Sequence, residues 1–315
     1  MLFNMLKKVT IMGAGAVGAI YAWRLSEYLG YPNVAVLATG ERLARYKARG
    51  IYLNGERIDF NYQDQHSERT PSDLVIIATK NHHLGAAIEA IRPDVGAKTI
   101  LLSLLNGIDS EKDLSVAFGA EKVLYGFTTA LDSTREGNAI NFSTEGVIYF
   151  GEHDNTQTPR IKALSDLFNN AKIKWVNPDN IERELWAKFM VNVSINTISA
   201  ITRGTYGDCA HIAAIKNLIL QSQHEVIALA QAVGIKGLDS SYITKYQKIF
   251  ASLEYEGKTS MLQDMEAGRV TENSAFCLRA SQLAREYGVE TPTIDLLGEI
   301  LKGCEAVMLR KGRNN

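Results

Sequence analysis

An α/β domain followed by an all-helical one is the architecture this 315-residue sequence predicts. Three observations carry that expectation. A β-rich run, Lys8-Val9-Thr10-Ile11-Met12, passes through a glycine-rich turn into a helical pattern from Ile20 to Leu29. Strand and helix signals then alternate to about Trp175, and after Asn177-Pro178-Asp179-Asn180 the strand signals fade and helical periodicity takes over. A chain of this length exceeds what one core usually holds, and 46% hydrophobic residues are enough to fill two. The expected domains are residues 1–178 and 179–315.

The glycine-rich turn is the first functional signal. Gly13-Ala14-Gly15-Ala16-Val17-Gly18 is GxGxxG in the strand–turn–helix order that a dinucleotide-binding βαβ unit requires, with a next strand at Asn33 to Leu37. Gly13 permits the tight turn, Gly15 lets the backbone approach a pyrophosphate, and Gly18 lets the helix pack closely on the strand. Free N–H groups at the helix start attract the anion. The N-terminal half is therefore read as a Rossmann-type domain, with Gly13, Gly15, Ala16, Val17 and Gly18 as cofactor-binding positions.

The remaining elements follow in order. A hairpin is expected from Ile51 to Leu53 and Arg57 to Phe60 across Asn54-Gly55, then a strand from Asp73 to Thr79, a helix near His83 to Ile91, and strands at Thr99 to Ser103 and Val123 to Ala130. A second hairpin is expected from Ala139 to Ser143 and Gly146 to Gly151. Helices are expected at Ile212 to Val233, Tyr242 to Leu253, Thr271 to Tyr287 and Thr293 to Leu309. The default substrate site in such an architecture is the cleft between the domains.

Composition narrows the function classes. A formal net charge of -1 gives no basic footprint for nucleic acid and no acidic tail. The three cysteines, Cys209, Cys277 and Cys304, are widely spaced and read as free thiols of a reducing compartment, which suggests a cytoplasmic protein. No apolar run approaches 18 residues, so no membrane span is expected. The start, Met1-Leu2-Phe3-Asn4-Met5-Leu6-Lys7-Lys8, runs directly into the first strand and is not read as a signal peptide. His82-His83 has no second ligand cluster near it in sequence, so the pair reads as loop or helix-start residues and no metal is expected.

The second functional signal is a polar stripe. In Trp186-Ala187-Lys188-Phe189-Met190-Val191-Asn192-Val193-Ser194-Ile195-Asn196, Lys188, Asn192 and Asn196 recur every four residues, a step that drifts by about 40° on a helix. An ammonium and two carboxamides in an apolar segment either face water, pair internally or line a cavity that a polar ligand fills, since burying them without partners costs several kcal/mol. A non-catalytic NAD(P)-sensing protein would keep the glycine loop but has no need of this stripe.

GAGAVG at the start, Ala78-Thr79-Lys80, Leu105-Asn106-Gly107, Trp186-Ala187-Lys188 with Asn192 and Asn196, Ser260-Met261-Leu262-Gln263-Asp264, and Gly268-Arg269-Val270-Thr271-Glu272 together resemble the ketopantoate reductase (2-dehydropantoate 2-reductase) family. The resemblance runs over almost the whole chain. It implies NADPH-dependent reduction of 2-dehydropantoate to (R)-pantoate, on the route to pantothenate and coenzyme A. Separately, hydrophobic faces of the helical half could meet another copy, so that half is read as a substrate and dimerisation domain and the protein as a homodimer. The resemblance makes Lys188 the proton donor to the substrate carbonyl oxygen and Glu272 the carboxylate that works beside it. Asn192, Asn196 and Ser260 become substrate contacts, while Lys80 and Asn106 sit at strand ends on the nicotinamide side, with Asn106 also near the substrate.

Two departures from the family pattern bear on specificity. Where many members carry an arginine for the 2′-phosphate of NADPH, this chain reads Leu37-Ala38-Thr39-Gly40-Glu41-Arg42. Thr39 takes the arginine's place, Glu41 could accept from a free ribose hydroxyl and favour NAD, and Arg42 or Arg45 could pair with a phosphate and favour NADP. Where the family commonly has Thr-Glu-Ile-Asp and then a glycine, this chain has Thr271-Glu272-Asn273-Ser274 and Leu278. A missing carboxylate and an added isobutyl group would reshape the substrate wall, so the alternative is an NAD-dependent D-2-hydroxyacid dehydrogenase acting on another branched or aromatic 2-oxo acid.

Overall fold

A computed structural model describes residues 5–312; Met1–Asn4, the first part of the segment not read as a signal peptide, and the last three residues of the expected second domain lie outside the described residues. The chain divides into two compact units, with the boundary in sequence between Ile181 and Glu182.

In the first unit, β1 (Val9–Met12) leads into α1 (Ala16–Leu29), β2 (Val34–Ala38), α2 (Gly40–Arg49), the hairpin β3 (Ile51–Leu53) and β4 (Glu56–Ile58), β5 (Asn61–Asp64), β6 (Leu74–Ile77), α3 (Leu84–Ile91), β7 (Ile100–Ser103), α4 (Ser110–Phe118), β8 (Val123–Glu136), β9 (Ala139–Gly151), α5 (Pro159–Asn170) and β10 (Trp175–Val176). The strands lie in the order β4-β3-β9-β8-β7-β6-β1-β2-β5, and β10 pairs with β9. The run from β8 through β7, β6, β1 and β2 to β5 is parallel, whereas β8 and β9 are antiparallel.

Continuous apolar strands explain why this sheet is covered on both faces. Val9 and Ile11 of β1 and Leu74 and Ile76 of β6 pack with Ile20 and Leu25 of α1 and with Leu164 and Phe168 of α5. The alternate residues, Met12, Val75 and Ile77, pack with Leu84, Ala87 and Ile91 of α3 and Leu114 of α4. This layered Rossmann-type arrangement puts the crossover between β1 and β6, where chain order changes direction, at the carboxyl ends of the strands, the usual ligand position.

The first expected hairpin is present, with Asn54 at φ 48 and Gly55 at φ 85 as its two turn residues. The second is corrected. Ala139–Gly151 is one strand, and it pairs with a 14-residue β8 that extends to Glu136, so the turn falls at Gly137-Asn138 rather than at Thr144-Glu145. Gly146 marked a close approach instead of a turn: a Cβ there would stand 2.8 Å from the Thr129 carbonyl oxygen. A separate register shift falls at Asp132/Ser133, nearer the hairpin tip. Glu145, expected at the turn, is held in mid-strand by α1, whose Arg24 pairs with its carboxylate and whose Tyr21 hydroxyl donates to its carbonyl at 2.9 Å.

The second unit is helical. It contains α6 (Ile181–Val191, whose first residue belongs to the first unit), a π-helical turn (Asn192–Asn196), α7 (Thr197–Thr202), α8 (Tyr206–His211), α9 (Ala213–Val233), α10 (Ser240–Ala251), α11 (Ser260–Glu266), α12 (Cys277–Tyr287) and α13 (Pro292–Gly312). Glu225 of α9 accepts from the Thr293 and Ile294 N–H groups at 2.9 Å each, satisfying the free donors at the start of α13. The helix expected from Thr271 is shorter than its pattern suggested. Thr271 and Glu272 lie in a loop, Asn273–Ala275 make a 3₁₀ turn, and α12 begins at Cys277 because Phe276 (φ -112, ψ -97) is not helical. No described helix is long and apolar enough to cross a membrane.

Candidate active site

The glycine loop separates structural glycines from one that the fold does not demand. Gly13 has φ +104, and a Cβ on it would stand 2.6 Å from the Ala78 carbonyl oxygen at the end of β6. A Cβ on Gly18 would stand 1.9 Å from the Gly13 carbonyl oxygen. At Gly15 the nearest atom to such a Cβ is the Ala78 oxygen, 3.9 Å away, and φ is -69, so the protein itself leaves room for a side chain. An open face over Gly15, at the uncapped start of α1 with no acidic residue in its first turn, fits a pyrophosphate that needs bare backbone. Ala16 and Val17 form the first helical positions beside it.

Thr39 is the partly buried N-cap residue of α2, directly after β2. Arg42 and Arg45, both exposed, have different surroundings. Arg45 donates from Nε to Asn138 Oδ1 at 3.0 Å and is thereby engaged at the hairpin tip. Arg42 bears on His83: burial, the neighbouring His82 and the Arg42 guanidinium all hold the His83 imidazole below its ordinary value. His82 and His83 lie in a 3₁₀ turn ahead of α3, as loop or helix-start residues.

Lys80 precedes that turn, two residues after Ala78 of the β6 exit, and the neighbouring Asn81 donates from Nδ2 to the Asn106 carbonyl at 2.8 Å. The loops carrying Lys80 and Asn106 are thus tied together. Beneath the Asn106 loop lies a buried polar chain that the sequence did not reveal. Leu105 N–H donates to Ser103 Oγ at 3.2 Å, Ser103 and Ser110 hydroxyls are 2.7 Å apart, and Ser110 donates to Glu111 Oε2 at 3.0 Å. Burial pushes the Glu111 carboxyl up to about 7.

In the helical unit the stripe is realised with one correction: the segment bearing Asn192 and Asn196 is a π turn rather than a continuation of α6. Ser194 contributes to this irregularity by donating back to the Met190 carbonyl at 2.7 Å. A π turn winds less per residue than an α turn, so the step from Asn192 to Asn196 does not add the further drift of about 40° that an α turn would give. Lys188 is partly buried; Asn192 and Asn196 are 5% and 9% exposed. Asn196 Nδ2 donates to Asn192 Oδ1 at 3.1 Å, and Asn192 Nδ2 has no hydrogen-bond partner among the described residues. Leaving such a donor buried costs about 1–3 kcal/mol, a cost that a ligand acceptor would remove.

Glu272 is buried at 3% exposure and stands in a loop fixed on both sides. Thr271 donates through its N–H and hydroxyl to Glu305 Oε1 at 2.8 and 2.6 Å, and Asn273 Nδ2 donates to the Gly298 carbonyl at 2.9 Å, both in α13. Cys277, at the start of α12, places its thiol 3.5 Å from the Val193 carbonyl oxygen and 3.4 Å from the Thr197 hydroxyl, docking the end of the Glu272 loop on the π turn. Burial pushes the Cys277 thiol up to about 12 and Cys209 to about 11, which keeps both unreactive. Ser260 is the exposed first residue of α11, capped by Thr259, whose hydroxyl lies 2.6 Å from that of Ser199 in α7. Leu278 runs against Gly298: a Cβ on that glycine would stand 3.2 Å from Leu278 Cδ2, so the added isobutyl group packs between α12 and α13.

Residues 9–155 match the family model described as ketopantoate reductase PanE/ApbA, and residues 180–305 match the C-terminal model of the same family. The chain belongs to the ketopantoate reductase family. Its curated relatives include an uncharacterized oxidoreductase, YkpB, of Bacillus subtilis, 27% identical with 95% of this chain and 99% of the relative covered. They also include a 2-dehydropantoate 2-reductase of Pyrococcus abyssi, 26% identical with 96% and 100% covered. Among solved structures, a ternary complex of D-mandelate dehydrogenase with NADH and anilino(oxo)acetate has a TM-score of 0.87 at 22% identity, with 96% of this chain and 99% of that one covered, and shares the fold. A member of this family is an oxidoreductase.

Proposed function

We propose that this protein reduces a 2-oxo acid to a 2-hydroxy acid with a nicotinamide dinucleotide, with 2-dehydropantoate to (R)-pantoate, a step toward pantothenate and coenzyme A, as the first expected reaction. The observation that carries this reading is the buried Asn192 amide donor without a protein partner, four residues from Lys188. A bound dinucleotide supplies the hydride. Lys188 stabilises the charge that develops on the substrate carbonyl oxygen and delivers the proton there. Glu272, fixed by the Thr271 and Asn273 anchors, holds substrate beside Lys188. Asn192, Asn196, Ser260 and Asn106 offer amides and a hydroxyl suited to a hydroxyl-bearing carboxylate.

On the cofactor side, Gly13, Gly15, Ala16, Val17 and Gly18 receive the pyrophosphate, Lys80 and Asn106 the nicotinamide half, and Thr39 and Arg42 the adenosine ribose. NADP is the first choice because Arg42 stays exposed while Arg45 is engaged by Asn138. NAD is the second. The helical half is read as the substrate and dimerisation domain, and a homodimer is supported by exposed Leu296, Ile300 and Val307, which share one stripe of α13. The cysteine chemistry favours a reducing, cytoplasmic setting.

A second reading rests on Thr39 and on Asn273-Ser274, which replace the family's arginine and its isoleucine–aspartate pair. These changes favour an NADH-dependent D-2-hydroxyacid dehydrogenase, and D-mandelate dehydrogenase crystallised with NADH and anilino(oxo)acetate is an example of that chemistry on this fold. A steady-state scan of NADPH and NADH against 2-dehydropantoate and branched or aromatic 2-oxo acids separates the readings. Highest kcat/KM on 2-dehydropantoate supports the first, highest kcat/KM on an aromatic or other branched acid supports the second, and no turnover with any acid contradicts both.

A further inference from the structure

The tip of the β8–β9 hairpin reaches the glycine loop across more than half of the first unit's sequence. Arg135 donates from Nη1 to the Ala14 carbonyl, from Nη2 to the Tyr46 hydroxyl of α2 at 3.0 Å, and from Nε to the Gly137 carbonyl at 3.0 Å. The tip that carries this guanidinium is itself clamped. Arg45 donates to Asn138 Oδ1 at 3.0 Å, Asn138 Nδ2 donates to the Gly50 carbonyl at 2.8 Å, and Tyr52 N–H donates to the Asn138 carbonyl at 2.9 Å. A planar fork with several donors suits such a junction of three elements in a way that an ammonium does not.

The bond to Ala14 has a consequence one peptide further on. The described chain contains no cis peptide bond, so the Ala14 carbonyl and the Gly15 N–H point in opposite directions from one plane. Holding the carbonyl toward Arg135 turns the Gly15 N–H away from the hairpin. It also keeps the partial negative charge of that carbonyl from swinging toward an incoming anion. Gly15 is the loop glycine at which an added Cβ would make only one ordinary contact, with the Ala78 carbonyl oxygen at 3.9 Å.

We infer that Arg135 is a positioning residue for the dinucleotide: by fixing the Ala14 carbonyl it aims the Gly15 N–H at the pyrophosphate. The inference rests on the reading of the glycine loop as a pyrophosphate cradle. Because the pyrophosphate is common to both dinucleotides, Arg135 contributes equally to NADH and NADPH binding and little to the chemical step.

The test is fluorescence titration of the full-length protein with NADH and with NADPH, together with thermal melting and steady-state kinetics. Arg135→Met is expected to weaken both dinucleotides by a similar factor, roughly tenfold, with kcat at saturating cofactor changed less than about threefold. Arg135→Lys, which reaches one acceptor, recovers part of the loss, and Tyr46→Phe, a conservative change that spares the Ala14 bond, gives a smaller loss of both affinities. Loss confined to NADPH overturns the inference in favour of a direct 2′-phosphate contact. Unchanged affinities with a lowered melting temperature also overturn it and leave Arg135 as a hairpin clasp. A wild-type protein that binds neither dinucleotide overturns the cofactor reading itself.

Discussion

Asn196 donates from Nδ2 to Asn192 Oδ1 across 3.1 Å, while Asn192 Nδ2 remains buried without a partner among the described residues. The pair therefore presents an oriented donor on the stripe that starts at Lys188. Asn192→Asp keeps the acceptor that Asn196 needs and removes that donor. KM for the 2-oxo acid is expected to rise by roughly tenfold or more, since a hydrogen bond to a charged group is worth about 1.5–3 kcal/mol. Steady-state kinetics check this, and an unchanged KM would make the amide structural.

The glycine loop yields a contrast between two variants. Gly18→Ala forces a Cβ to within 1.9 Å of the Gly13 carbonyl oxygen and is expected to lower the melting temperature, because backbone must shift to accept it. Gly15→Val meets no protein atom closer than the Ala78 oxygen at 3.9 Å from its Cβ, so the fold survives while either dinucleotide binds severely less well. Melting curves and NADPH and NADH titrations read both effects. Equal affinity in Gly15→Val and wild type would reduce the loop to a turn.

Cofactor choice is expected to lie with positions 39 and 42. A charge-assisted pair with the 2′-phosphate is worth roughly 1.5–3 kcal/mol, about one to two decades in the NADPH/NADH ratio of kcat/KM. Thr39→Arg should raise that ratio and Arg42→Ala lower it, whereas Arg45→Ala, which breaks a bond to Asn138, should leave it within a few-fold. A ratio insensitive to both position 39 and position 42 would place the adenosine ribose elsewhere.

Glu111 adds a pH dependence to stability. The folded protein holds the Glu111 proton up to about pH 7, against an ordinary value of 4.5 in the unfolded chain. Between those limits the native state binds the extra proton, so this contribution is full below the unfolded value and is lost as pH rises through the folded one. The loss is on the order of 3 kcal/mol. Glu111→Gln, neutral at all pH, should melt at a higher temperature than wild type at pH 8 and lose the decline between pH 5 and 8. Parallel melting curves across that range would show that burial leaves the group ionised.

What the sequence made legible was local. GxGxxG could be read because each glycine answers to a neighbour within the same strand–turn–helix unit or to a ligand. The stripe could be read because Lys188, Asn192 and Asn196 interrupt an apolar run at one spacing. The π turn was hidden, since its signal is a single serine bonding back to Met190. The extent of β8 was hidden because Asp132–Glu136 carries few apolar residues and Gly146 resembles a turn glycine while serving a close strand contact. Helices α2, α4 and α5 were not singled out by the pattern, and the Glu272 loop read as helix because its anchors, Glu305 and Gly298, come from α13. Contacts of that range leave no periodic trace.

The central claim, that Lys188 acts on the charge developing at the substrate carbonyl, is tested most directly by kcat of purified Lys188→Ala with dinucleotide affinity measured in the same preparation. The account predicts intact cofactor binding with kcat lower by on the order of 10² to 10³, the usual cost of removing a group that stabilises developing charge. A near-wild-type kcat would contradict it and remove Lys188 from the mechanism.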